Sequence, residues 1–290
     1  MQDWEAIVIG DACRPDTCAV VAAFGDARIS YVDLPVNFGE QSGPNNIGFA
    51  RARGRFVAIL NHDDLWFPDH LAATTGWADA TGADVVIARG VIVHPDYKVG
   101  GAAKNSIFGI GKDGFYDPVF TTGFGSAQIV RRAALERLGG WRPARQCYCE
   151  PSQDWLFRAW RKNATIATMP HLTVLKLHSG MRKRSYATDD ARELAELVDA
   201  MSAPNALRAK ILASATEPRQ PGSFTYLRRR LTAALGVHPR AQSFRRKHAR
   251  GGFVAMLREI RGLAPMPERE PDLNQMRARY RAANEDKESG

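Results

Sequence analysis

Short runs of almost uninterrupted apolar, β-branched residues recur through the first third of the chain and alternate with helix-compatible stretches. Ile7-Val8-Ile9, inside Glu5–Asp11, is the first, Arg28–Val32 the second, Phe56–Leu60 the third and Ala83–Ala88 the fourth. A strand apolar at consecutive positions must be covered on both faces, as a parallel strand flanked by crossover helices is. Thr17–Phe24, Asn45–Arg53 (closed by Gly54) and Pro68–Ala80 supply the helices between. This order predicts an α/β chain: an open, Rossmann-like sheet with helices on both faces. Ligands of such sheets bind beyond the carboxyl ends of the strands. Asp11 stands at the end of the first run, and Asn61-His62-Asp63-Asp64 closes the third. One carboxylate in such a place is as readily a helix cap; two such sites favour a ligand.

Beyond residue 90 the pattern loosens. Val91–Gly125 is Gly-rich and reads as irregular. Its Gly109-Ile110-Gly111-Lys112-Asp113-Gly114 has the spacing of a dinucleotide loop, but no buried strand leads in and no helix follows, so it reads as a surface loop. Arg131–Leu138 and Asp154–Lys162 are helices, Thr173–His178 is a strand entering the basic loop Arg182-Lys183-Arg184, and Asp189–Met201 is an amphipathic helix. Pro204, Pro218 and Pro221 mark a loose connection. The expected organisation is one domain over 1–204, with a donor half (1–90) and an acceptor half (91–204), and a basic helical extension over 205–290.

The charge distribution separates these parts. The 290 residues hold 40 Lys/Arg and 31 Asp/Glu, net +9. Residues 205–290 hold 18 and 8 of these, net +10, which leaves residues 1–204 at −1. A neutral body is no nucleic-acid platform, and no nucleic-acid partner is expected; the basic extension suits phosphates, anionic lipid or an acidic protein. Cys13, Cys18, Cys147 and Cys149 are spaced C-x4-C and C-x-C, poor for a four-thiolate zinc site. The start of the chain has neither the basic nor the apolar region of a secretory signal. No apolar run approaches the roughly 18 residues of a membrane span. The expected location is cytoplasmic, or peripheral at the inner membrane face.

Several segments together carry a resemblance. They are Glu5–Asp11; Pro44-Asn45-Asn46-Ile47-Gly48 with Ala52-Arg53-Gly54; Leu60-Asn61-His62-Asp63-Asp64-Leu65-Trp66 with Pro68-Asp69-His70-Leu71; Val130-Arg131-Arg132; Leu138-Gly139-Gly140-Trp141-Arg142; and Ser152-Gln153-Asp154-Trp155. In order and spacing the chain resembles the family 2 glycosyltransferases of GT-A fold over about residues 3–190. The resemblance implies a metal-dependent, inverting transfer of a sugar from a nucleotide-sugar donor to a glycan or lipid-linked acceptor, in cell-surface polysaccharide or glycan synthesis. It places Asp11 on the nucleobase and Asn46, Asn61 and Asp63 on the donor. It puts a divalent ion, Mn²⁺ or Mg²⁺, on Asp63, Asp64 and His178, and makes Asp154 the catalytic base. Asn61 stands where the family's signature has its first carboxylate. The family begins with a further strand and helix, and the resemblance implies that this unit, roughly 30 residues, is absent ahead of Trp4, beside Glu5–Asp11.

The chemistry agrees with these roles. A departing sugar diphosphate develops negative charge that a divalent ion neutralises, and paired carboxylates beside phosphate make sense with a cation between them. A carboxylate suffices to take the acceptor's proton. Plainer readings stand beside each role: a helix cap for Asp154, a structural histidine for His178, and a solvated loop for Arg182 and Arg184, which could otherwise hold phosphate. In the extension, Phe224, Leu227, Leu231 and Leu235 recur at helical spacing around Arg228-Arg229-Arg230, and Phe244–Leu263 repeats the theme. Residues 222–263 are therefore either a peripheral membrane contact or helices packed on the domain. Two alternatives complete the reading: a truncated, non-catalytic relative that binds membrane or nucleic acid through the basic extension, and a metal-dependent phosphohydrolase built on His62-Asp63 and Asp69-His70.

Overall fold

The computed structural model describes residues 3–95, 105–177, 180, 182–187 and 191–267. The chain runs β1 (Ala6–Gly10), α1 (Asp16–Ala22), β2 (Ile29–Asp33), α2 (Ser42–Arg51), β3 (Phe56–Ala58), β4 (Asp64–Trp66), α3 (His70–Thr81) and β5 (Val85–Val93). Next come β6 (Asn105–Phe108), a 3₁₀ turn at Gly125–Ala127, β7 (Gln128–Arg131), α4 (Arg132–Leu138), α5 (Pro151–Arg161) and β8 (Ile166–Leu177). Then follow α6 (Arg192–Ala200), α7 (Pro204–Ala213), β9 (Ala215–Thr216), α8 (Ser223–Ala234), α9 (Pro239–Arg245) and α10 (Gly252–Arg261). No helix among the described residues is long and apolar enough to cross a membrane.

The main sheet is mixed. Its path is β3-β7-β5-β6-β9, with β8 beside β5 and β4 beside β8. β5 and β8 run parallel, whereas β3–β7, β5–β7, β5–β6 and β4–β8 are antiparallel. The apolar runs thus report cover on both faces rather than strand direction: Val85, Val86, Ile87 and Ala88 are fully buried although β7 lies antiparallel to them. β8 begins before the expected Thr173. Pro170 and His171 are exposed in its middle, and the β5–β8 register shifts around Arg89, because a proline has no N–H to give the ladder.

β1 and β2 form a separate two-stranded parallel sheet. β1 is not buried on both faces as its sequence predicts: Val8 is 37% exposed, on the face opposite Ile7 and Ile9, and β2 is its one ladder partner among the described residues. α2 ties the two sheets together, packing on β1 while Phe49 enters the main core with Val57 and Trp141.

The sequence reading divides the chain at residue 204, but the sheet runs past it. Pro204 is the first residue of α7 rather than a linker, since a helix's first N–H needs no partner. Leu207 and Ile211 join Phe67, Val91, Val93, Leu172 and Leu175 in a second core cluster, and β9 pairs with β6. The amphipathic pattern over 244–263 falls on the end of α9 and on α10, with Gly251 at φ +76° between them.

Candidate functional site

The polar residues at the strand ends are held by long-range contacts. After β1, the Asp11 carboxylate accepts the backbone N–H groups of Phe38 (2.6 Å) and Gly39 (2.9 Å), and Asn37 donates to the Asp11 carbonyl at 2.7 Å. Burial pushes the Asp11 carboxyl above its ordinary range, against the pull of those two N–H groups and of Arg258. Gly39 has φ +81°, a conformation glycine adopts at little cost.

After β3, the turn Asn61–Asp63 leads into Asp64, the first residue of β4. Asp64 lies opposite Lys176 in the β4–β8 ladder. Its Oδ2 accepts the Ser126 hydroxyl at 2.6 Å and the Asn61 amide at 3.2 Å, with the Lys176 ammonium 3.5 Å away. Ser126 also receives the Asn61 N–H at 3.0 Å, and its carbonyl takes the Trp66 indole N–H at 2.6 Å. Burial raises the Asp64 pKa, with Lys176 and the two hydrogen bonds acting against it and Asp63 adding to it. Asp64 Oδ1 is buried without a hydrogen-bond partner.

Gly123 connects this turn to the expected base. Its carbonyl accepts the amides of Gln128 (2.9 Å) and Gln153 (2.7 Å), so the start of β7, just after the 3₁₀ turn carrying Ser126, and the first turn of α5 are fixed to one atom. Asp154 lies inside that first turn. It does not cap the helix: Glu150 is the cap residue, and Asp154 accepts a hydrogen bond from Arg158 at 2.8 Å, one turn on. Arg158 is itself anchored on the Gly140 carbonyl at 3.0 Å.

Other expected residues are placed differently. Asn46, read as a donor contact, is 1% exposed and exchanges two 2.9 Å hydrogen bonds with the backbone of Trp141, joining α2 to the loop after α4. Arg182, read as a phosphate ligand, pairs with Glu193 of α6, its Nε 2.8 Å from the carboxylate, and leans on the Val93 carbonyl. Arg184 is exposed at φ +56°. His178 lies outside the described residues. The His-Asp constellation of a phosphohydrolase does not form: His70 is buried against Trp66 with its Nδ1 2.8 Å from the Thr173 hydroxyl, and Asp69 pairs with His171 and Arg208.

Residues 1–139 match the sequence model of Glycosyl transferase family 2. The match covers just under half of the chain and makes this part similar to the family 2 glycosyltransferases. A curated relative, the succinoglycan biosynthesis protein ExoO of Rhizobium meliloti (strain 1021), is 39% identical over 92 residues, 32% of this chain. The chain spans 26% of that relative's length. The crystal structure of S. aureus TarS superposes with a TM-score of 0.50 at 16% identity, over 97% of this chain and 49% of that one, and this likeness shows the fold, a GT-A type α/β sheet. TarS 1–349 in complex with UDP-GlcNAc has a TM-score of 0.49 at 16% identity, covering 99% of this chain and 83% of that one.

The carboxylates of this site fit a divalent ion in one way. Among the described residues, no group of three or more His, Cys, Asp or Glu side chains could form an all-protein cage. Asp63 and the unpartnered Oδ1 of Asp64 are the candidate protein oxygens. Mg²⁺ commonly takes one or two carboxylates and completes its shell with water and substrate phosphates, and this set meets that pattern. Lys176, Ser126 and Arg258 are the members of the site that sequence reasoning missed. Ser126 had one weak signal, its place in the Gly-rich run Gly123-Phe124-Gly125-Ser126.

Proposed function

We propose that this chain transfers a sugar from a nucleotide-sugar donor to an acceptor hydroxyl, with inversion at the anomeric carbon, in the synthesis of a cell-surface polysaccharide. The observation that carries the reading is the turn Asn61–Asp64 at a strand end. There, one buried carboxylate is locked by Ser126, Asn61 and Lys176 and keeps an unpartnered oxygen beside Asp63. The family match over residues 1–139 and the name of the succinoglycan relative support the reaction class and the pathway class.

In this reading Asp11, with the Phe38 and Gly39 amides fixed on it, forms the nucleobase end. Asp63 and Asp64 Oδ1 would hold Mn²⁺ or Mg²⁺, which supplies positive charge to the departing diphosphate. Lys176 and Arg184 add cationic charge of the chain's own, and Asp154, oriented by Arg158, takes the acceptor's proton. Direct displacement with a protein base inverts the anomeric centre. The acceptor is a glycan or a lipid-linked sugar. The face that meets the membrane is α8, whose Phe224 and Leu235 are more than four-fifths exposed and whose Leu227 and Leu231 are more than half exposed. In this reading the chain works at the inner membrane surface.

The test is nucleotide release from a panel of nucleotide sugars with Mn²⁺ and a polysaccharide-precursor acceptor. Asp63→Asn should leave the fold intact and lower turnover by about 100-fold or more, as expected when a charge-stabilising group is lost. Near-normal activity in that variant, or no turnover by the parent with any donor, would overturn the reading.

A further inference from the structure

α10 buries one side chain, and it is an arginine. Arg258 is 8% exposed, and all three of its guanidinium nitrogens are used: Nε (2.9 Å) and Nη2 (2.6 Å) donate to the Ala264 carbonyl, and Nη1 donates to the Gly39 carbonyl. The Gly39 peptide is therefore gripped from both sides, its N–H by Asp11 and its C=O by Arg258. A Cβ added at Gly39 would lie 2.8 Å from Pro267 Cδ, so the segment after α10 rests directly on this residue.

The same segment is fastened along its length. Gly251 N–H donates to the Cys147 carbonyl at 2.9 Å, and Arg145 Nη2 reaches the carbonyls of Met266 (3.1 Å) and Pro267. At the far end of α10 the Ile260 and Arg261 carbonyls accept the N–H groups of Arg184 (2.8 Å) and Tyr186 (3.1 Å). The Tyr186 ring sits edge-on to His62, centroids 5.2 Å apart, directly beside Asp63. One strap, residues 252–267, thus touches the loop of Asp11 directly and the turn of Asp63 through residues 184–187.

We infer that residues 252–267 form a strap across the donor groove, and that Arg258 is a positioning residue that holds the Phe38–Gly39 peptides on Asp11 in the geometry that receives the nucleobase. The inference rests on the donor-site reading given above and assigns that site a wall from the far end of the chain. Arg258 acts through backbone groups, so it governs donor affinity rather than the chemical step. A lysine could keep the charge, but its compact ammonium on a flexible stem lacks the rigid planar fork that spans the Ala264 and Gly39 carbonyls.

The full chain is titrated with UDP, GDP, ADP and dTDP, each with Mn²⁺, by calorimetry, and hydrogen exchange is followed at residues 37–39. Arg258→Ala should raise the Kd of the nucleotide that the parent binds by roughly 10-fold or more, the cost of a lost charge-assisted hydrogen bond. Exchange at Phe38 and Gly39 should quicken without nucleotide, the melting temperature should stay near the parent's, and Arg258→Lys should recover part of the affinity. Glu259→Ala, on the exposed side of the same helix, should bind as the parent does. Parent-like binding and exchange in Arg258→Ala overturn the strap while leaving the donor site standing. A parent that binds none of the four nucleotides overturns the donor-site reading itself, and quickened exchange in Arg258→Ala would then show a purely structural clamp. If Arg258→Ala does not fold, Arg258→Lys decides: unchanged affinity and exchange refute the inference.

Discussion

His70 shows how burial can cancel a chemical identity. Its ring is stacked on Trp66 at 4.3 Å, its Nε2 is buried without a partner, and burial pushes its pKa down to about 3. His238, packed on Phe157, is likewise pushed down to about 4, by burial first and by Arg240 second. Unfolding restores the ordinary value of 6.5, so below it the unfolded chain binds protons that the folded chain refuses. The sign follows: this contribution to stability is present above pH 6.5 and is lost as the pH falls toward the folded values. Each histidine steepens the loss by about 1.4 kcal/mol per pH unit once the pH is well below 6.5. Asp11 and Asp64, whose carboxyls are raised, act in the opposite sense but nearer the carboxylate range. Urea unfolding at pH 7, 6 and 5 should therefore show stability falling on acidification, and His70→Gln should show a shallower fall than the parent. Equal slopes would refute the neutral, buried His70. From sequence, Asp69-His70 next to His62-Asp63 resembles a metal cluster, because the residue types are visible and their burial is not. The residues that lock the site are hidden for a related reason: Ser126 is 62 positions from Asp64, and Arg258 is 219 positions from Gly39.

At the scale of elements, helices were legible wherever periodicity and punctuation agreed, as in α3, which Gly82 closes at φ +64°. They are hidden where a proline reads as a loose connection, as at Pro204, which opens α7, or where Gly251 and Gly252 interrupt an apolar pattern that still looks continuous. What sequence could not give is which way an amphipathic helix faces. α8 packs through Ala233, which is fully buried, and Tyr226, whose hydroxyl donates to Asp117 at 2.7 Å. Phe224, Leu227, Leu231 and Leu235 lie on the opposite side and face outward with Arg228 beside them. Among the described residues nothing covers this apolar stripe of α8, as the membrane alternative requires. Burying even one leucine in the lipid interface is worth on the order of 1.5–3 kcal/mol, and an adjacent arginine about 1 kcal/mol near an anionic surface. The parent should sediment with vesicles containing phosphatidylglycerol, less so at high salt. The double variant Leu227→Glu/Leu231→Glu should lose more than 10-fold in partitioning, by that area arithmetic, with an unchanged melting temperature. Sedimentation unaffected by the two glutamates, or absent in the parent, would refute the membrane face.

The whole molecule is built unevenly. The main sheet is thick with buried side chains from Val57 through Trp155 to Val174, whereas β1, α1 and β2 hang on α2. No residue of α1 is buried, and its Val20 is 61% exposed, with Phe24 just beyond it 71% exposed. A two-stranded ribbon is marginal by itself, and the strand that carries Asp11 belongs to this weakest part. Ile7-Val8-Ile9 suits a strand covered on both faces, but the Val8 face is open and, among the described residues, β1 is paired along one edge only. An apolar strand with an unpaired edge and no Lys or Pro along it invites pairing with another chain. The protein should therefore associate in a concentration-dependent way through β1, detectable by light scattering and by slowed amide exchange at residues 7–9 as concentration rises. Val8→Lys places a charge at the exposed position of that edge and should shift the protein toward monomer without disturbing the main sheet. If the parent stays monodisperse across the concentration range, or if Val8→Lys associates as readily, β1 is not the adhesive edge, and the burial that its sequence asks for is met elsewhere.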